Sequence, residues 1–174
     1  MTLSDGATVV IRPVYRDDGP LLARMFERLS EQSRRARFLG PSDALSEEDL
    51  DYLTDVDQYR HDALVAIDPT THEAVGIARY VRLPGRRELA EVAVEVIDDW
   101  QRRGVATALL VELTERARAA GIREYSALVA HNNRLMHDVL TRLGAEPVGE
   151  VDDGIEYLVD LGGEGVTARL RRVT

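Results

Sequence analysis

The sequence predicts an α/β fold in one domain, with a mixed, mostly antiparallel sheet of about seven strands flanked by about four to five helices. Three observations predict it. The 174 residues are 44% hydrophobic and 30% charged, which supplies one proper core and leaves little length for a second domain. β-rich runs alternate along the chain with segments whose apolar residues recur at helical spacing. Proline and glycine punctuate the joins, and no internal repeat or low-complexity stretch interrupts the order.

Thr8-Val9-Val10-Ile11-Arg12-Pro13-Val14 is β-rich and halts near its proline, a first strand. Asp17-Asp18-Gly19-Pro20 opens a helix with an acidic first turn and apolar Leu21, Leu22, Met25, Phe26 and Leu29 at helical spacing. Ser30 to Leu39 reads as a short second helix carrying Arg34, Arg35 and Arg37 and ended by Gly40-Pro41. Ser46-Glu47-Glu48-Asp49 caps a third, running to about Val56. Strands follow at Ala63 to Ile67 and Ala74 to Val81, joined by a short turn-rich loop as in an antiparallel meander, and then at Glu88 to Val96.

A long helix runs from about Arg103 to Ala120 and is closed by Gly121. Its stripe of Val105, Ala108, Leu109, Leu113 and Ala117 faces a core. A strand at Glu124 to Ala130, a helix from about Asn132 to Leu143, and short strands near 146–150 and 155–160 complete a domain spanning 1–161. Gly162-Gly163 marks a hinge, and 162–174 is expected to be a flexible tail.

Charge and composition narrow the function. The net charge is −9, whereas a protein that grips nucleic-acid phosphates usually carries a basic excess, so no nucleic-acid partner is expected. No apolar run is long enough to span a membrane and the N-terminus lacks a signal-peptide pattern, so a cytoplasmic protein with no membrane partner is expected. The absence of cysteine excludes a disulfide framework, a thiolate nucleophile and a cysteine zinc site. All 22 basic residues are arginine. A GC-rich coding bias accounts for this; an enzyme that acts on lysines would also gain by presenting none.

The informative segment runs from Val94 to Thr107, where a strand ends, a loop turns and a helix opens on Gln101-Arg102-Arg103-Gly104-Val105-Ala106-Thr107. Small residues at 104 and 106 let a ligand approach the backbone, and the first helical turn offers unpaired N–H groups under a positive dipole. A pyrophosphate fits such a place, and Arg102 and Arg103 can add charge-assisted contacts. The segment is neither a Walker loop nor a dinucleotide fingerprint. On local physics alone, a plain helix start and a phosphate site are both open.

Gln101-Arg102-Arg103-Gly104-Val105-Ala106 resembles the Gln/Arg-x-x-Gly-x-Gly/Ala acyl-CoA signature of the GNAT N-acetyltransferases. The resemblance covers nearly the whole chain, to about residue 160, in the family's order of elements. Asn133-Arg134-Leu135-Met136 with Arg142-Leu143-Gly144-Ala145 is similar to the family's late helix. Within the family the chain most resembles the GNAT domain of bacterial Pat-type protein lysine acetyltransferases. That likeness rests on Leu29 to Phe38, on Ala90 to Val96 with Asp98-Asp99-Trp100-Gln101, and on Asn133 with Met136. Pat-type proteins often carry a further regulatory domain; this chain is expected to be the catalytic unit alone.

The resemblance implies acetyl-CoA as cosubstrate and no metal. Val94, Val96 and Ile97 would hold its pantetheine arm as an added strand, beside a bulge that splays two strands in the family. Gln101 to Thr107 would hold the pyrophosphate, and Asn133 would touch the cofactor unless it simply caps its helix together with Asn132. The acceptor would be a lysine of a protein such as an acyl-CoA synthetase. A small amine is the enzymatic alternative, and a non-catalytic acyl-CoA sensor the other. Monomer and homodimer are equally open.

A lysine amine is mostly protonated at neutral pH, so some group must take its proton before it attacks a thioester. The resemblance places the family's general-base glutamate at Glu91. Alternation independently sets Glu91, Ala93 and Glu95 on one strand face, where a covered carboxylate needs a function or a partner. Glu95 is the second candidate; the plainer reading of Glu91 is an exposed face or an ion pair with Arg79 or Arg82. The tyrosine that serves many family members as acid is replaced by Leu140, which belongs to an apolar stripe, and Tyr125 and Tyr157 are not expected to substitute. His131 and His137 are expected to face solvent, without metal-ligand spacing. Arg34, Arg35 and Arg37 are read as a solvated face or as a site for an acidic patch on the substrate.

Overall fold

The computed structural model describes residues 1–3, 5–31, 33, 45–152, 154–163 and 166–171. Arg34, Arg35 and Arg37 lie outside the described residues. The chain runs through β1 (Val10–Pro13), α1 (Gly19–Glu27), α2 (Glu47–Thr54), β2 (His61–Ile67), β3 (Ala74–Arg82) and β4 (Leu89–Val96). It continues through α3 (Val105–Ala119), β5 (Glu124–Ala130), α4 (Arg134–Leu143), β6 (Glu146–Val151), β7 (Gly154–Asp160) and α5 (Val166–Arg171). The strands form one seven-stranded sheet in the order β1-β2-β3-β4-β5-β7-β6. Every neighbouring pair is antiparallel except β4–β5.

Local chemistry explains the helix starts. Asp18 accepts from the Tyr15 N–H and from both Arg12 amino groups, each at 2.7 Å, which fixes the turn before α1. At α2 the Ser46 hydroxyl accepts from the Asp49 N–H and the Asp49 carboxylate accepts back from the Ser46 N–H, a reciprocal capping box.

The two faces of the sheet are covered differently. Leu22, Met25 and Phe26 of α1 and Leu53 of α2 are buried against the face that carries Ile77, Arg79, Ala93 and Glu95. The expected stripe of α3 is buried in full against the opposite face. Gly76 makes that contact close, because a Cβ there would meet the Glu95 carbonyl oxygen at 3.0 Å and Val105 and Leu109 at 3.2 Å. On the same side Asp62, only 1% exposed, accepts from Arg116 Nε at 2.7 Å and Nη2 at 3.3 Å.

The chain end differs from expectation. Residues 166–171 form α5, which packs on α3 and α4 with Val166 and Leu170 buried; Leu161 just before it is buried as well. The four-residue spacing of that apolar pair outweighs the glycines at 162 and 163. Among the described residues, no helix is long and apolar enough to cross a membrane.

Candidate active site

β4 and β5 run parallel and pair only through Leu89↔Glu124, Ala90↔Tyr125 and Glu91↔Ser126. Beyond Glu91, β4 stays with β3 as far as Val96 and β5 stays with β7 as far as Ala130, so the two halves of the sheet part. The bulge expected here is absent from the β3–β4 ladder, whose register is uninterrupted from Gly76↔Val96 to Arg82↔Ala90. A strand directs its peptide groups alternately to its two neighbours, so on its β5 side the stretch from Val92 to Val96 presents groups with no strand partner. An extended ligand with amide groups can dock there as a short added strand.

The open flank leads into a turn at Asp98–Trp100 and then a tight loop in which Arg102 has φ +58° and Gly104 φ +95°. The first intrahelical bond of α3 is donated by Ala108 to the Gly104 carbonyl, so the N–H groups of Val105, Ala106 and Thr107 precede the helical ladder. They point with the positive end of the dipole toward the mouth of the splay. Val105 is buried and can offer a ligand only its backbone, whereas Ala106 and Thr107 are half-exposed.

The two arginines have different duties. Arg103 pairs with Asp5 and lies over Trp100, 4.1 Å from the ring centre. Asp5 sits below the usual carboxylate range through the Ala7 N–H and then through Arg103. Arg102 is exposed, and no salt bridge of its side chain is found among the described residues, so it can meet an incoming phosphate.

Three expected contacts take another form. Gln101 directs its amide inward, donating to the Val96 carbonyl at 3.1 Å and to the Ser33 hydroxyl at 3.3 Å. The Ile97 N–H donates to Val75 and its carbonyl accepts from Trp100, so both groups are spent inside the fold. Asn133 caps α4, its side-chain oxygen accepting from the Met136 N–H at 3.2 Å. Capping, the alternative weighed for it, is what its carbonyl does; only its amide NH2 remains for a ligand.

Glu91 lies at the last paired position, where the strands begin to part, and it is exposed. The burial expected around it is therefore absent, because the helical cover extends over Ala93 and Glu95 but stops short of Glu91. The ion pair weighed for it is absent too among the described residues. Arg79 lies over Tyr52, and Arg82 donates to the backbone carbonyls of Tyr59, Arg87 and Ala120. Glu95 is half-buried and lines a small cavity with Ala93 and Arg79.

Tyr80, Tyr125 and His137 are committed to packing. Tyr125 is buried behind α3 and donates to the Leu113 carbonyl, with burial pushing its hydroxyl far up. Tyr80, fully buried, is pushed up to about 12 by burial and by the charge of Asp62. Leu140 is buried, as its apolar stripe requires. His137 does not face solvent: it is half-buried, 2.9 Å from the Tyr157 hydroxyl and 3.1 Å from the Ala130 carbonyl. His131 is exposed near Val151 and Glu150, as expected. No metal-binding cluster of side chains is found among the described residues.

One element of the site escaped the sequence reading. Asp98 accepts from the Ser30 N–H and hydroxyl and from the Ser33 hydroxyl, at 2.8–3.1 Å. Burial pushes its carboxyl up, but these bonds outweigh that and hold it below the usual range. The segment after α1 is thereby tied to the loop before α3. Serines three residues apart were visible in the sequence, but their partner lies 65 residues away or more.

An open strand flank running into helix-start amides that precede the helical ladder can hold an extended, phosphate-bearing ligand between two halves of a sheet. Residues 23–145 match the Acetyltransferase (GNAT) family. The chain belongs to that family and is an N-acetyltransferase. It is 33% identical over 159 residues to an acetyltransferase of Pseudomonas aeruginosa, covering 90% of this chain and 85% of the relative. It is 35% identical over 101 residues to the acetyltransferase Pat of Mycolicibacterium smegmatis, covering 58% of this chain and 30% of that one. Among solved structures it resembles the GNAT domain of Streptomyces lividans PAT, with a TM-score of 0.84 and 32% identity, covering 92% of this chain and 94% of that domain.

Proposed function

We propose that the protein transfers an acetyl group from acetyl-CoA to a lysine amine of a protein substrate of the acyl-CoA synthetase kind, with Glu91 as general base. The observation that carries this reading is the position of Glu91: an exposed carboxylate at the apex of the splay, on the rim of the flank that would hold the thioester arm. The likeness to the Streptomyces PAT domain across nearly its whole length supports the protein-lysine acceptor.

The chemistry balances without a covalent enzyme intermediate. The pantetheine would lie along Val94 and Val96, with its pyrophosphate at the N–H groups of Val105 to Thr107 beside Arg102. Glu91, directly or through one water, takes a proton from the acceptor ammonium; the freed nitrogen attacks the thioester carbonyl. The C–N bond forms and the C–S bond breaks; the second proton of the nitrogen passes to the departing sulfur, so CoA leaves as the thiol, and Glu91 returns the first proton to solvent. A thiol with a pKa near 8.5 is a fair leaving group, so the buried tyrosines need not act as acids. The chain has no cysteine to carry the acetyl group, which favours direct attack in a ternary complex.

The test is acetyl-CoA thiol release followed with a colour reagent, offering a purified acyl-CoA synthetase beside a panel of small amines. The synthetase should drive release, and Glu91→Gln should lower kcat about 10²–10⁴-fold while acetyl-CoA still binds. Release with small amines alone would overturn the protein-lysine acceptor. Acetyl-CoA binding without any release would overturn catalysis.

A further inference from the structure

We propose that Arg79, in the cavity beneath α1 and α2, is an acceptor-side anchor for a carboxylate carried near the reacting amine. The inference rests on the reading of Glu91 as the base, because that reading makes this face of β4 the acceptor side.

Arg79 sits in the middle of β3, flanked by Ala63 of β2 and Ala93 of β4. Neither alanine can partner it. Among the described residues its Nε and Nη1 are buried and have no hydrogen-bond partner, while the guanidinium lies 4.9 Å from the centre of the Tyr52 ring. A stacked ring partly offsets the charge but accepts no conventional hydrogen bond. Behind Tyr52, His61 is 8% exposed with its Nε2 likewise unpartnered, and burial together with the Arg79 charge favours its neutral form. A permanent cation with two desolvated donors is costly to keep in a fold unless something accepts from it.

The cavity that Arg79 lines is otherwise largely apolar, walled by Leu22, Met25, Phe26 and Leu53, and it reaches Ala93 and Glu95. Glu91 is two residues from Ala93 on the same strand face, diagonal to Arg79 and so about 7–8 Å from it between Cα atoms. An acceptor that places its amine at Glu91 and a carboxylate at Arg79 matches the order of charges along this face. A lysine spans that distance. The carboxylate has two sources with the same chemistry: the α-carboxylate of a free amino acid, or an acidic side chain beside a target lysine in a protein.

The test is equilibrium binding to the full chain saturated with CoA, which needs no turnover and so stands apart from the thiol-release result. L-Lysine is compared with cadaverine, its decarboxylated analogue, and a lysine peptide flanked by glutamate with the same peptide flanked by glutamine. The wild type should favour the carboxylate-bearing member of at least one pair about tenfold. Preference within the first pair identifies a free amino acid, and preference within the second a protein sequence. Arg79→Gln should erase the preference while CoA binding stays unchanged, and Arg79→Lys should restore part of it. Equal binding within both pairs by the wild type, or a preference that survives Arg79→Gln, would overturn the proposal and leave Arg79 as a packing residue.

Discussion

Gly76→Ala tests whether the close seat of α3 on the sheet sets the geometry of the cofactor loop. An added Cβ would meet the Glu95 carbonyl oxygen at 3.0 Å and the Val105 and Leu109 side chains at 3.2 Å. Ordinary contact lies at about 3.5–4.0 Å, so something must yield by roughly half an ångström. The carbonyl belongs to the β3–β4 ladder and cannot rotate away; the first turns of α3 must lift instead. Overpacking of this kind costs about 1–3 kcal/mol. Alanine recovers about 0.5–1 kcal/mol relative to glycine in a strand.

The net is roughly 0–2.5 kcal/mol, or a fall in Tm of up to about 10 °C at this chain length. Because Val105 opens α3, its N–H and those of Ala106 and Thr107 shift with it. A loss of about 1 kcal/mol in their contacts would raise the acetyl-CoA KM about fivefold. Calorimetry and a cofactor titration read the two effects. Gly149→Ala is the control, since among the described residues the nearest atom to its Cβ is Glu156 Oε2 at 3.9 Å, an ordinary contact; Tm should hold or rise. An unchanged Tm together with an unchanged KM in Gly76→Ala would refute the reasoning.

Two further outcomes are expected. Arg116→Leu strands the Asp62 carboxylate in the core and should cost about 3–5 kcal/mol in urea unfolding, most of which a second change, Asp62→Leu, should recover. Asp18 is held well below the usual carboxylate range, first by the Arg12 guanidinium and then by the Tyr15 N–H. Its folded value lies below its unfolded one, so its contribution is complete above about pH 4–5 and is lost as pH falls through the folded value. Asp18→Asn should therefore destabilise by about 1–3 kcal/mol at pH 7 and by much less near pH 2, measured by urea unfolding at both.

The parts of the site that could be read from the sequence are those whose physics is local. The stripe of α3, the Ser46 cap and the strand from Glu124 to Ala130 depend on neighbours within a few residues, and they stand where the patterns placed them. Alternation likewise set Glu91, Ala93 and Glu95 on one face, which the pairing of Ile77 with Glu95 and of Val81 with Glu91 reproduces. How much of that face is covered depends on where α1 and α2 end in space, so the exposure of Glu91 was not legible. Gln101 matches the family pattern in identity and Ile97 was expected at the pantetheine arm, yet their hydrogen bonds go to Val75, Val96 and Ser33, partners that tertiary packing alone supplies. His137 carried no periodic signal of burial; Tyr157 gives it a partner twenty residues on.

The loop between β4 and α3 joins the two sides of the proposed reaction. Its helix-start amides and Arg102 would serve the cofactor side, while Asp98 and Gln101 hold Ser30 and Ser33, just beyond α1, which walls the proposed acceptor cavity. Gln101 also fixes the Val96 carbonyl, the end of the open strand flank. One short stretch thus fixes the end of the open strand flank, the start of α3 and the residues that follow α1. Such shared hydrogen bonds are non-additive, because losing one frees groups on both sides at once. Direct transfer in a ternary complex requires the thioester carbonyl and the amine to be placed against each other rather than merely bound. A loop bonded both to β4 and to the residues after α1 ties the two sides of the proposed site through one element, and these bonds give Gln101 a reason to stand at the head of the motif that does not depend on touching the cofactor.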